Sequence, residues 1–583
     1  MRRFDLFFAV LVCFVLIFVV VIFVPASASA LQQPAPTLVP PTLVPAVNST
    51  VNDALLNESA VARIKRDGKV RVGLLYNSPP FGTLNVRGEV SGFDADLATA
   101  IVETWGLTFE PVQVTRQTAF DLLNSGTVDM LVASQIHRRD LDSQFEFSET
   151  YFHGTESVLL RQDDGAAALT DMANRRLGYV LGTPAAEAIS LWQQRSGIGV
   201  TLQSFLTLDL AYSALLNSEI DGVVDNSVHL QRIIPEPGMG KILDEAIGPE
   251  PYAIVIRRQD ISFRNLLNKT LQYLDSRGKI ADLQKTYTPG ISYNIGNIPG
   301  WDGLGDDPPK PDQFGDDVPF PPQYAVPRIQ QAGLLRVAGV SELSSDAPES
   351  QRRLDMLNRM IVETMAAKWG VRVEYVQDTS ASPADLVANG QADMAVDVPL
   401  DWSIVDKVDL TAPYLLHGDR VMAKKDDAYE TFIDLRGRIV AVFGSEDGAT
   451  DRVNALAASA NAGVRVFVIN QETDAANVIL SDNNANVVFG DSLKLVPHVQ
   501  ANGDQLRLTR REPNPDPWYS RKYIGIAVPR NDIDFRLLVE YTLQEISRSG
   551  QLQALLAPVL LPEDIPPMDV WPGVSDYLGF KLG

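Results

Sequence analysis

Apolar positions along this chain switch repeatedly between a period of two and a helical period. VRVGLL (70–75), TFEPVQV (108–114), VDMLVAS (128–134), LGYVLG (177–182), TLQSFL (201–206) and DGVVD (221–225) read as strands. Between them FDADLATAIVETW (93–105), AFDLLNSG (119–126), a segment from Pro184 and DLAYSALLNS (209–218) read as helices. Strands alternating with helices of about ten residues predict βαβ units, parallel sheets and an α/β class. The opening of this pattern occurs twice. The stretch from Lys69 to Gly106 and the stretch LLRVAGVSELSSDAPESQRRLDMLNRMIVETMAAKWG from Leu334 both read strand, loop and amphipathic helix, and both helices stop on Trp-Gly. The chain is therefore a tandem duplication.

Punctuation between the periodic segments sets the boundaries. Arg2 and Arg3 precede an apolar run from Leu6 to Val24, and PASASA (25–30) offers small residues for cleavage after Ala28 or Ala30. This predicts export, with residues 1–30 acting as a signal peptide or, since the run reaches bilayer-spanning length, as an N-terminal membrane anchor. Residues 31–59 form a Pro-rich, semi-rigid spacer. The two repeats occupy 60–290 and 328–560, joined by a Gly/Pro/Asp-rich linker at 291–327. A Pro-rich tail, 561–583, is expected to wrap the second repeat.

Composition narrows the function. A chain of 583 residues with 45% hydrophobic content can bury two or more cores. Its net charge of −23 excludes a nucleic-acid partner, which would need clustered Lys and Arg. The single cysteine, Cys13, follows Val12 inside the apolar run, where lipid attachment would need a small residue, so the exported part carries neither disulfides nor thiol chemistry. P-loop, HExxH and GxSxG patterns are absent and there are five His, so no metal or cofactor is expected.

One ordered set of motifs is more specific. PPF (79–81), GFDADL (92–97), LLNSGTVDMLVAS (122–134), FSETY (147–151), GYVLGTPAAE (178–187), SEIDGVVDNS (218–227) and the closing LNKTLQYLDSRGKIADLQKTY resemble the family 3 solute-binding proteins, extracellular receptors of amino-acid ABC transporters. The second repeat resembles them more faintly, through ANGQADMAV, LTAPYLL, VAVFGSEDGAT, NVVFGDS and KYIGIAVPRND. The resemblance implies tandem periplasmic-binding-protein-like (type II Venus-flytrap) domains. Each would have two α/β lobes on a two-strand hinge, with solute clamped between them. In the first repeat lobe one would comprise about 69–157 plus 254–290 and lobe two about 158–253. Such a protein delivers its solute to an ABC transporter permease. A lyase or dehydratase on the same lobes, with His137 as acid or base, and a tethered sensor without transport are the alternatives.

The family's site residues carry over in part. Thr183 matches the Thr that holds a ligand carboxylate, or else caps its helix. Ser134 matches a small residue beside the ligand, and Phe81 an aromatic that lines the cleft or packs beneath the loop. Ser78 stands where a stacking aromatic is frequent, and Arg116 replaces another, where a guanidinium could pair with an anion. The carboxylate-binding Arg position is Leu141, with Arg138 and Arg139 displaced toward Ser134, where either could reach the cleft if the loop shifts or else stand as a solvated loop charge. The ammonium-binding Asp position is Asn226; a one-residue slip would restore Asp225 as the ligand residue, whereas strand alternation otherwise turns it to the other face. Asp94 is expected to cap its helix. In the second repeat Asp397 and Asp401 replace the Arg pair, while Ser445 and Asp491 remain at the carboxylate and ammonium positions. That set, lacking Arg, suits a cationic or neutral ligand or none, and the second repeat reads as the degenerate one.

Overall fold

The structure, a computed structural model, describes residues 58–291, 298–321, 323–342, 346–378, 380–513 and 516–573. The expected signal or anchor and most of the spacer lie outside them. Among the described residues no helix is long and apolar enough to cross a membrane.

In the first repeat the strands join one sheet in the order Thr108–Val114, Lys69–Leu75, Met130–Leu131, Gly248–Arg257, Phe145–Leu160, Gly222–Asn226, Arg176–Val180, Thr201–Phe205. The two wings are parallel, as βαβ crossovers require, and the two long central strands between them are antiparallel. Phe145–Leu160 runs unbroken through 16 residues, so it belongs to both lobes and joins them. The expected strand 128–134 shrinks to Met130–Leu131, because Ser134 takes a left-handed φ of 47° and turns the chain out of the ladder.

The second repeat divides differently. One sheet orders Arg372–Tyr375, Leu334–Ala338, Met394–Pro399, Lys522–Pro529 and Val408–Leu410, with Leu415–His417 also on Lys522–Pro529. The other orders Arg465–Ile469, Ile439–Phe443, Val487–Asp491, Asp419–Lys424 and Leu506–Leu508. The crossing strand is interrupted at Gly418, whose φ is 153° and where a Cβ would lie 2.2 Å from the Ser520 carbonyl oxygen. One lobe-to-lobe connection is therefore a continuous ribbon and the other a broken one.

Duplicated contacts explain why both copies fold alike. The indole N–H of Trp105 donates to Thr270 Oγ1 and that of Trp369 to Thr542 Oγ1, each at 2.9 Å. Asp260 accepts from the Ala60 and Phe263 backbone N–H groups and Asp532 from those of Ala325 and Phe535, so each carboxylate caps two helices at once. Burial pushes Asp532 up to about 7, and it pushes Asp94, bonded by Ser134 and Tyr151, up to about 6. A carboxyl whose folded pKa is raised contributes stability that is complete below its unfolded value near pH 4 and is lost as pH rises through 6 and 7. The melting temperature should thus fall between pH 5 and pH 8. In calorimetry at stepped pH, the Asp94→Asn and Asp532→Asn pair should gain on the parent chain steadily as pH rises.

The repeats pack on each other through polar as well as apolar groups. One Nη of Arg536 donates to both oxygens of Glu146 at 2.7 and 2.8 Å, Arg258 pairs with Asp534 at 2.6 Å, and Trp301 of the linker stacks 4.6 Å from Trp402. Gln272 accepts from both the Trp301 backbone N–H and the Trp402 indole. The linker is therefore docked where it is described. The tail first follows the second repeat, with Asp564 on Arg420 at 2.6 Å and Ile565 and Met568 against its core. Past Met568 it runs between the two repeats, touching both.

Candidate functional site

Most of the first repeat's candidate residues are engaged by their own neighbours. Phe81 is fully buried, edge-on to Phe152 and Tyr252 at 5.1 and 5.2 Å, and so packs beneath its loop rather than lining a cleft. Ser78 is buried at the start of the same turn. The Ser134 hydroxyl donates to Asp94 at 2.7 Å, and the Tyr151 hydroxyl to the other oxygen at 2.8 Å. The helix after Gly92 has no side-chain cap, so Asp94 is a buried acceptor inside the lobe and not a helix cap. Thr183 donates its hydroxyl to the Val180 carbonyl at 2.8 Å, and the helix begins two residues later, after Pro184. His137 is 5% exposed, bonded through Nε2 to Asp142 and stacked between Phe147 and Trp571, which withdraws it from acid–base work on a solute.

The two displaced arginines part company. Arg138 reaches across to the lobe-two helix Ala185–Ser196 and forks onto the Glu187 carboxylate at 2.5 and 2.6 Å. Arg139 turns away into the second repeat, where it bonds Gln544 at 2.7 Å and lies 4.7 Å over the Tyr541 ring. Burial lowers its guanidinium to about 10. The expectation that Arg139 serves the cleft is therefore corrected: it is an inter-repeat anchor.

At the hinge, Asn226 caps the helix Ser227–Ile233 through the Val228 N–H, and its amide nitrogen donates to Tyr252 and Glu250. Asp225 bonds the His229 ring at 2.7 Å. Burial pushes Glu250 up and Glu156 well above the ordinary carboxylate range, with each other's charge adding to the rise in Glu156. The exposed Arg116 acts on this cluster at a distance, lowering Glu156 and Tyr252.

A cavity of about 540 Å³ opens between the lobes of the second repeat, with Ser350 and Lys522 on one side and Asp419, Ser445, Glu446, Arg452, Asp491 and Lys494 on the other. Both candidates from the sequence, Ser445 and Asp491, line it. Ser445 accepts from Lys494 Nζ at 2.9 Å. Asp491 caps the helix Ser492–Ala501 through the Leu493 N–H and faces the His417 ring at 2.8 Å. Burial raises the Asp491 carboxyl, but the His417 ring and this N–H more than reverse it and hold it below the usual range. Arg452 pairs with Asp419 at 3.0 Å and Lys494 with Glu446 at 3.3 Å.

The absence of an Arg at the family's sequence position therefore misleads. Arg452 from one helix, Lys494 from another and Lys522 from the start of the strand Lys522–Pro529 bring three cations to the wall. Only their convergence in space identifies them. Such a wall offers donors and acceptors in exchangeable pairs, which suits a solute bearing both a carboxylate and an ammonium. Among the described residues no group of three or more His, Cys, Asp or Glu is placed to hold a metal ion.

Comparison with known proteins agrees with the architecture. The family model for bacterial extracellular solute-binding proteins, family 3, matches residues 70–290 and 357–559. A glutamine-binding protein of Geobacillus stearothermophilus is 24% identical over 216 residues, 36% of this chain and 81% of its own. A membrane-bound lytic murein transglycosylase F of Sodalis glossinidius (strain morsitans) is 24% identical over 255 residues, 42% of this chain and 52% of its own. An ancestral arginine-binding protein bound to glutamine, a solved structure, has a TM-score of 0.33 at 24% identity, covering 38% of this chain and 98% of that one. The fold is a tandem of type II periplasmic-binding-protein-like units, each of two α/β lobes. With two matched segments spanning more than half of its length, the chain belongs to the bacterial extracellular solute-binding proteins, family 3.

Proposed function

We propose that this chain captures a small polar solute outside the cytoplasm by closing the two lobes of its second repeat, and delivers it to the permease of an ABC transporter. The observation that carries this reading is the cavity of about 540 Å³ between those lobes, walled by both signs of charge and adjoining a crossing strand broken at Gly418. Asp491 receives the solute's ammonium, while Ser445, Lys494 and Lys522 receive its carboxylate. The class of solute is an amino acid or a similar zwitterion. Closure follows binding because contacts to both walls exist only when the lobes meet.

The test is calorimetric titration of the whole chain with a panel of amino acids, paired with a search for turnover of each. A solute at one hundred times its dissociation constant should stabilise the fold by about 2.7 kcal/mol. Asp491→Ala should weaken binding at least tenfold, which is about 1.4 kcal/mol, whereas Arg116→Ala should leave it unchanged. Consumption of the solute, or equal binding by Asp491→Ala, would overturn this assignment.

A further inference from the structure

We infer that the C-terminal segment Asp569–Gly573 is a clasp by which the second repeat holds the lobes of the first repeat closed. Three residues fix the segment to the first repeat. Asp569 accepts from the Thr150 hydroxyl at 2.6 Å and lies 3.2 Å from the His153 ring, both on the long strand that crosses between the lobes. Trp571 stacks its indole 3.7 Å from the His137 ring. The Pro572 carbonyl accepts from the Arg139 backbone N–H at 3.0 Å. A further contact ties the segment back to its own repeat, since the Trp571 backbone N–H donates to Gln544 at 3.1 Å.

The consequence lies in what stands between these contacts. His137 and Arg139 are the neighbours of Arg138, so the tail grips the loop on both sides of a guanidinium that bridges the lobes. Held this way, Arg138 is aimed at Glu187, with Asp140 at 3.0 Å supporting it from its own loop. The bridge is two-pronged, with the Arg138 side chain 22% exposed and that of Glu187 46%, and its bidentate geometry favours a persistent contact over a transient surface pair. Pro572 and Gly573 complete the wall of a remaining space of about 30 Å³ beside Arg138, Glu187, Glu156 and Glu250. A carboxylate of the chain's own thus occupies the fork that an incoming anion would need. Together with the unbroken crossing strand, these contacts leave lobe movement to the second repeat.

Spin labels test this in the full chain with Cys13 replaced by Ser. One pair, at the exposed positions Thr108 and Gln203, spans the lobes of the first repeat, and a control pair, at Arg372 and Arg465, spans those of the second. The parent chain should give one narrow distance across the first repeat, unchanged by any amino acid. Trp571→Ala and Glu187→Gln should each broaden and lengthen it, and the double variant most, while the control pair keeps its parental distance. An unchanged narrow distance in the double variant would overturn the clasp. So would a broad, solute-sensitive distance in the parent chain. Solute binding by the second repeat is read separately by calorimetry, so failure of the clasp and failure of the proposed function are distinguishable.

Discussion

Replacing Arg536 by methionine should lower the unfolding free energy by roughly 3–5 kcal/mol, because it strands carboxylates in a buried interface. Glu146 and Arg264 come from the first repeat, and Asp409, Arg536 and Glu540 from the second, all within 6% side-chain exposure. Arg536 holds both oxygens of Glu146 and also reaches Glu540 at 3.1 Å. Burial pushes Glu146 up, but Arg536 and Arg264 more than reverse this, whereas Glu540 and Asp409 remain raised by burial. Without Arg536, three acids share Arg264 alone. The sign with pH follows from Glu146: a depressed folded pKa contributes stability present above the unfolded value and lost as pH falls through the folded one. The deficit of Arg536→Met should accordingly be largest near neutrality and shrink toward acid. Urea unfolding at pH 7 and pH 4 measures both values. Adding Glu146→Gln should recover part of the loss at pH 7 and little at pH 4.

The same interface marks where sequence reading stops. The alternation of strands and helices was legible because each element carries its own period: the helix 93–105 and the strand 108–114 appear with the expected bounds. Asn226 and Asp491 were legible as equivalent positions, and both cap the helix that follows. Arg139 was not, because Gln544 lies 405 residues away and no local pattern announces it. Arg536 and Glu540 stand at i,i+4 spacing, but that spacing is equally usual on a solvated helix face, so no local pattern announces that this pair is buried. Motifs and cavity rank the two repeats differently for a related reason. Retained motifs report the scaffold of the first repeat, whereas the cavity of the second depends on three cations brought from separate elements. The tail was expected to wrap its own repeat, and nothing in its composition says that Trp571 ends on His137.

The tryptophans that close the two duplicated helices offer the complementary measurement. Trp369 is 2% exposed and Trp105 3%, each packed on the long C-terminal helix of its own repeat beside Phe535 or Phe263. Trp369→Ala should cost about 3–5 kcal/mol, from lost transfer energy and the cavity left in a core that cannot collapse around it. Trp369→Phe should cost less, since the ring volume largely remains and Thr542 keeps its own bond to the Leu538 carbonyl at 2.7 Å. The glycine after each tryptophan sits at φ 76° or 70°, so the helix end itself should survive either change. The double variant Trp105→Ala and Trp369→Ala then reports on the repeats as a pair. The two sites share no partner, and independent repeats would give additive losses within about 0.5 kcal/mol. The helices they brace, however, carry Arg264 and Arg536 into one charge cluster. Loosening both should therefore cost less than the sum, because the second loss falls on an interface already weakened by the first. Strict additivity in urea unfolding would show that the repeats fold without regard to each other.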